Sequence, residues 1–147
     1  MMRGRMLLGR RGVSAVEFAL IAPVMLLMGL GTLEYGRLAW TQEALQAAAV
    51  SGARCIGVLA SGCAAANAYN AANSKAFVVS EAGGWNVTLT TAAVTVSRAA
   101  TCGGVADFAS VTIAYKFETV LPLLVTSLAN GINLSVSACY PITRPSA

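Results

Sequence analysis

Sixteen consecutive residues, Phe18 to Leu33, carry no charge. A helix that crosses the hydrocarbon core of a bilayer needs about 20 predominantly apolar residues, with a range of about 17–25. Extending the run back through Val13-Ser14-Ala15-Val16 reaches that length, but only by including a carboxylate, Glu17. Pro23 inside the run would give a mild kink that neighbouring helices accommodate. Gly29 and Gly31 would let another helix approach closely.

The flanks of this run set its direction. Arg3, Arg5, Arg10 and Arg11 precede it with no acid among them, whereas Arg37 and Arg54 beyond it are offset by Glu34 and Glu43. The positive-inside tendency puts the N-terminus in the cytoplasm and the rest of the chain outside. A secretory signal peptide also begins basic and then apolar, but its apolar core is only about 7–15 residues. Here the run is longer and continues into Glu34-Tyr35-Gly36-Arg37-Leu38 as an expected helix, which disfavours a cleaved secretory signal.

Composition agrees with a membrane-associated class: 56% hydrophobic residues, 11% charged and a mean hydropathy of +0.67. The formal net charge of +4 belongs to the first twelve residues, because the other six Lys+Arg residues meet six Asp+Glu residues. No Lys/Arg stripe with interleaved aromatics is present, so a nucleic-acid partner is not expected.

A charge inside a membrane segment costs on the order of 2.5–3.5 kcal/mol at the helix centre and less near its edge. Glu17 is therefore either a headgroup-boundary residue or a functional one. Cleavage after Gly12 would give Val13 a new α-amino group, and positions i and i+4 are neighbours on a helix. The amine could meet Glu17 of its own chain or of an adjacent one. Either pairing would offset the burial of both charges, and the second would fix the register between subunits.

At these residues the sequence resembles a family. A basic leader, Gly12, then Glu17-Phe18 at the fifth and sixth positions after it, then an apolar helix, is similar to the signal of type IV prepilins. More narrowly, Gly12-Val-Ser-Ala-Val-Glu-Phe-Ala-Leu-Ile-Ala-Pro23 followed by Leu33-Glu34-Tyr35-Gly36-Arg37 resembles the TadE-like pseudopilins of tight-adherence (Flp, type IVc) pilus systems. The resemblance is strong over residues 12–37 and extends beyond them only as a layout. It implies cleavage after Gly12 by a prepilin peptidase, Val13 as the mature N-terminus, Glu17 as the assembly carboxylate and Phe18 as the aromatic beside it. It also implies as partners other pilin and pseudopilin subunits, the inner-membrane platform and membrane lipid. As a minor subunit, the chain would sit in the inner membrane as a single-pass protein or enter the pilus fibre.

Beyond the membrane, Leu38, Leu45, Ala48, Ala49 and Gly52 recur at helical spacing. The expected organisation is a basic leader over 1–12, a long helix over 13–53 with its transmembrane part at about 13–34, and an extracytoplasmic domain over 54–147. A helix broken at Gly29/Gly31 or Gly36 is the alternative. Ala64 to Phe77 suggests a second helix, broken at Glu81-Ala-Gly-Gly-Trp85. Strands are expected at Trp85–Thr90, Val94–Ser97, Val111–Phe117 and Ile132–Tyr140, where apolar residues alternate. The segment Thr119–Gly131 between the last two suggests a short helix, capped by Thr119 and stopped at Asn130-Gly131. The fold class is α+β: a long N-terminal helix, membrane-spanning in its first half, packed on a small antiparallel sheet of three to four strands with a second short helix.

Cys55, Cys63, Cys102 and Cys139 all fall on the outer side. Their spacing does not suit a zinc site built from close pairs, and the chain has no histidine. Four cysteines in an oxidising compartment allow three disulfide connectivities. Cys55–Cys63 with Cys102–Cys139 is preferred, because the first closes a local loop after the long helix and the second ties the first strands to the last. Four free thiols are the alternative.

No nucleophile–base pair, phosphate loop or paired-acid motif is visible, so neither an enzyme nor a cofactor or metal is expected. Two functions remain: a prepilin-like structural subunit, or a single-pass anchored binding module that never polymerises. Gly12 with Glu17 separates them, because a plain anchor has no use for either.

Overall fold

A computed structural model describes residues 11–120 and 130–143. The chain divides between Arg37 and Leu38 into two units. Helix α1, Arg11–Gly57, runs through both without interruption, and Pro23 lies inside it. The expected helix is therefore one element rather than two, and Gly29, Gly31 and Gly36 do not break it. An apolar run followed by an alanine-rich stretch supplies hydrogen-bonded turns with little side-chain entropy to lose. Arg54 sits in the last turn, where a cation suits the helix dipole.

In the second unit, one stripe of α1 forms the floor of the core. Ala44, Leu45, Ala48, Ala49, Ala53 and Ile56 are buried together with Val78, Val94, Val111 and Ile113. Alanine and glycine on this stripe let α1 lie close to its neighbours. A Cβ on Gly52 would stand 2.4 Å from Val78 Cγ2 and 3.4 Å from Val111 Cγ2. At Gly57 the last strand passes just as near, since a Cβ there would lie 2.5 Å from the Tyr140 ring and 2.9 Å from the Pro141 carbonyl.

After α1 the chain turns at Val58–Ala60, where the Ala60 amide bonds the Cys55 carbonyl at 3.0 Å. It then forms a small hairpin, β1 (Ala64–Ala65) and β2 (Ala68–Tyr69). Ala66 and Asn67 between them have φ of 49° and 63°, the pairing that a two-residue hairpin turn requires. Helix α2, Ala71–Gly84, follows, with the Asn70 side chain accepting from the Asn73 amide as its N-cap. The second helix thus begins later than the expected Ala64 and runs through Glu81. The turn chemistry at Ala66-Asn67 and the cap at Asn70 override the helix preference of the alanines before them.

The expected strand at Trp85–Thr90 is not formed. Trp85 caps α2, Asn86 turns with φ of 61°, and the Val87 amide bonds back to Ala82 at 3.0 Å. Val87 and Leu89 are buried as the alternation suggested, but the segment joins no ladder. A single turn of 3-10 helix, Thr91–Ala93, leads into the main sheet.

That sheet has three antiparallel strands in the order β3 (Val94–Cys102), β4 (Val105–Phe117) and β5 (Ile132–Pro141). On β4, Ala109, Val111, Ile113 and Phe117 face the core; on β5, Val136 and Ala138 do. The register sets Val111 opposite Ala138 and Ile113 opposite Val136. The pairing of β3 with β4 is interrupted between Ser97 and Ala100. The helix expected within Thr119–Gly131 falls largely on residues 121–129, outside the described residues. The architecture is α+β, with the long helix, a second short helix, the three-stranded sheet and the small hairpin.

Two disulfides brace the second unit, Cys55–Cys63 and Cys102–Cys139, with Cα atoms 5.9 and 6.5 Å apart. The first holds the end of α1 to the start of the hairpin. The second joins β3 to β5 across β4.

Candidate functional site

The first unit presents its large apolar side chains outward. Val13, Phe18, Leu20, Met25 and Met28 are each 64–72% exposed. A helix that is apolar on all sides and not covered by protein suits a lipid environment. Glu17 lies in this exposed stretch, one turn along α1 from Val13, so residues 13 and 17 share a face. Around Gly12 nothing stands within 4 Å of where a Cβ would be. The sequence-predicted residues Gly12, Val13, Glu17 and Phe18 thus fall together on the first two turns of α1.

Near the far end of the apolar run, Arg37 donates to Glu34 at 3.0 Å. Their i,i+3 spacing was visible in the sequence, but its significance emerges only with the helix. The pair neutralises two charges next to the apolar run, and Glu34 is largely buried at 9% exposure. Thr32 bonds its own helix, Oγ1 to the Gly29 carbonyl at 2.8 Å, which hides its hydroxyl from an apolar surrounding.

The second unit holds an open hollow of about 720 Å³ between Tyr69, Val96, Arg98, Asp107 and Ile142. The break in β3 pairing at Ser97–Ala100 shapes one wall of it. Arg98 Nε is buried there with no hydrogen-bond partner among the described residues. Burial pushes the Tyr69 phenol above its ordinary value. Sequence reasoning did not anticipate this hollow. Among the described residues, no group of three or more His, Cys, Asp or Glu side chains could hold a metal, and all four cysteines are paired.

α1 contains a helical stretch, Gly12–Gly57, long and apolar enough to cross a membrane. The family of TadE-like proteins matches the chain over residues 12–54. No curated protein and no solved structure matches it. The matched stretch, Gly12 to Arg54, lies wholly within α1.

Proposed function

We propose that this chain is a minor pilin-like subunit of a tight-adherence type IV pilus system, held in the inner membrane by the first half of α1. Its N-terminus faces the cytoplasm and its disulfide-braced unit lies outside, in keeping with the arginines before Gly12 and the oxidised cysteines beyond it. A prepilin peptidase removes residues 1–12. Val13 then carries the mature amine, and Glu17 pairs with an amine of its own or an adjacent subunit while Phe18 packs beside it. The domain over 54–147 is the part displayed to other pilin and pseudopilin subunits and to the assembly platform. The role is structural and needs no catalytic group.

One observation carries this reading. The TadE-like match coincides with α1, and within it the residues around Glu17 are left exposed rather than folded into a core. A carboxylate on an uncovered apolar helix calls for a partner charge outside its own fold. The hollow beside Arg98 favours a second reading, a single-pass anchored binding module that does not polymerise.

Intact mass and N-terminal sequencing of the protein purified from its own membranes test the first reading. A chain starting at Val13 supports processing, and Gly12→Leu should then retain the full-length mass. A chain starting at Met1 sinks the peptidase assignment. Glu17→Gln should still insert but should lower co-purification of partner subunits about tenfold, the ratio that 1.4 kcal/mol gives. Unchanged co-purification would favour the binding module.

A further inference from the structure

The chain has two tryptophans, and the fold brings them together. Trp40 on α1 and Trp85 at the end of α2 lie 45 residues apart in sequence. Their ring centroids are 5.6 Å apart at an interplanar angle of 60°, and Trp40 Nε1 donates to the Trp85 carbonyl at 3.4 Å. Aromatic pairs with this geometry are normally part of a core. Here both rings stay on the surface, 57% and 44% exposed.

Trp85 is held in place by a fixed turn. Its amide bonds Ala82 at 3.1 Å, and Asn86 behind it is fixed with φ of 61°. Gly83 and Gly84 have open space where side chains would be, so no described residue covers the tip. Trp40 comes seven residues after Leu33, the end of the charge-free run. The expected transmembrane part, about 13–34, rises about 33 Å as helix against a hydrocarbon core of about 30 Å, and Trp40 stands about 9 Å further along α1. Residues just past the span therefore reach the interfacial layer, and the Glu34–Arg37 pair keeps that passage neutral. Indoles favour this layer, because the ring prefers the apolar side and the N–H the wet side.

We propose that Trp40 and Trp85 together form an interfacial anchor that seats the outer unit on the phospholipid headgroup layer of the membrane crossed by α1. This rests on the reading that α1 spans that membrane. The pair adds a second foothold from a different element, α2, and would hold the subunit in one orientation toward its neighbours until it is drawn out of the bilayer.

Because the chain has no other tryptophan, its own fluorescence reads the contact. The full-length protein is reconstituted in phosphatidylcholine vesicles containing lipid brominated either near the carbonyl end or near the methyl end of the acyl chain. Trp40→Phe and Trp85→Phe leave one indole each, and Met25→Trp in the doubly substituted chain reports on the apolar run. The expected result is about twofold quenching of each single indole by the shallow label and little by the deep one. Met25→Trp emission should be quenched by the deep label. If neither native indole responds to any brominated lipid while Met25→Trp does, α1 spans but the outer unit stands clear, and the anchor is wrong. Native indoles shielded from iodide yet unquenched by lipid would also overturn it, since a neighbouring subunit would then cover them. If Met25→Trp is not quenched, the spanning reading fails and the anchor fails with it. The wild-type chain gives the summed native signal, so shallow quenching of the pair is read without either single substitution.

Discussion

The two ends of α1 are made of similar residues and meet opposite fates. Before Arg37, Phe18 and Leu20 are 72% exposed and Met28 66%. Beyond it, Leu45, Ala49 and Ile56 are fully buried. What differs is how the apolar residues are arranged around the helix. In the first stretch they occupy every face, which only lipid or a large core can satisfy. In the second the buried ones keep to one stripe, with Gln42, Glu43, Gln46 and the exposed Val50 on the other faces, and that stripe packs on α2 and the sheet. One continuous helix thus carries two environments, written in the angular spread of its side chains rather than in their average hydropathy.

Reduction should separate the two ends most strongly. By the chain-entropy estimate, losing the Cys102–Cys139 bridge, whose cysteines are 37 residues apart, removes about 4 kcal/mol, a large share of a small domain's stability. Losing Cys55–Cys63, separated by 8 residues, removes about 2.5 kcal/mol. In detergent micelles, a reducing agent should therefore open the second unit while amide protection over residues 18–33 persists. Equal loss of protection in both stretches would show that the first end of α1 depends on the fold beyond it.

Glycine sharpens the contrast at single-residue scale. Gly52→Leu places a side chain where even a Cβ would meet Val78 at 2.4 Å. Valine is stiff at χ1 and cannot swing clear. Overpacking of this kind typically costs about 1–3 kcal/mol and occasionally more, and Gly52→Leu should lie at the upper end. Gly31→Leu, with nothing within 4 Å, should leave the thermal midpoint of the second unit unmoved. If both variants melt with the wild type, Gly52 is not packed as described.

The contrast also explains what could be read in advance. Gly12, Glu17 and the apolar run form a linear pattern, so the candidate site was legible before any fold was known. The strands β4 and β5 were legible because Val111, Ile113 and Phe117, and Val136 and Ala138, alternate toward one core. The cysteine pairs preferred among three connectivities, from the loops they would close, are the ones that form. Hidden features depended on contacts distant in sequence or on the sign of φ. Nothing local shows that Trp40 meets Trp85, or that β3 loses its pairing at Ser97–Ala100 and leaves Arg98 over a hollow. The alternation at Val87 and Leu89 recorded burial correctly, but burial alone does not supply a neighbouring strand.

The start of α2 is the subtlest case and carries the smallest predicted effect. Ala64, Ala65 and Ala66 are strong helix formers, but propensity is readily overridden by context, and the chain instead turns at Ala66-Asn67. Asn70 then begins the helix by accepting from the Asn73 amide at 3.0 Å. Its backbone is held as well: its amide bonds the Cys63 carbonyl at 3.1 Å, and its carbonyl accepts from the buried Ser74 hydroxyl at 2.7 Å. Asn70→Ala deletes the side-chain cap and leaves those backbone bonds in place. It should therefore destabilise the second unit by only about 1 kcal/mol, and Asn70→Ser should restore most of that. Chemical denaturation of the oxidised protein measures both. A loss comparable to that of a disulfide would mean that the cap, rather than the Cys55–Cys63 bridge beside it, holds the hairpin against α2.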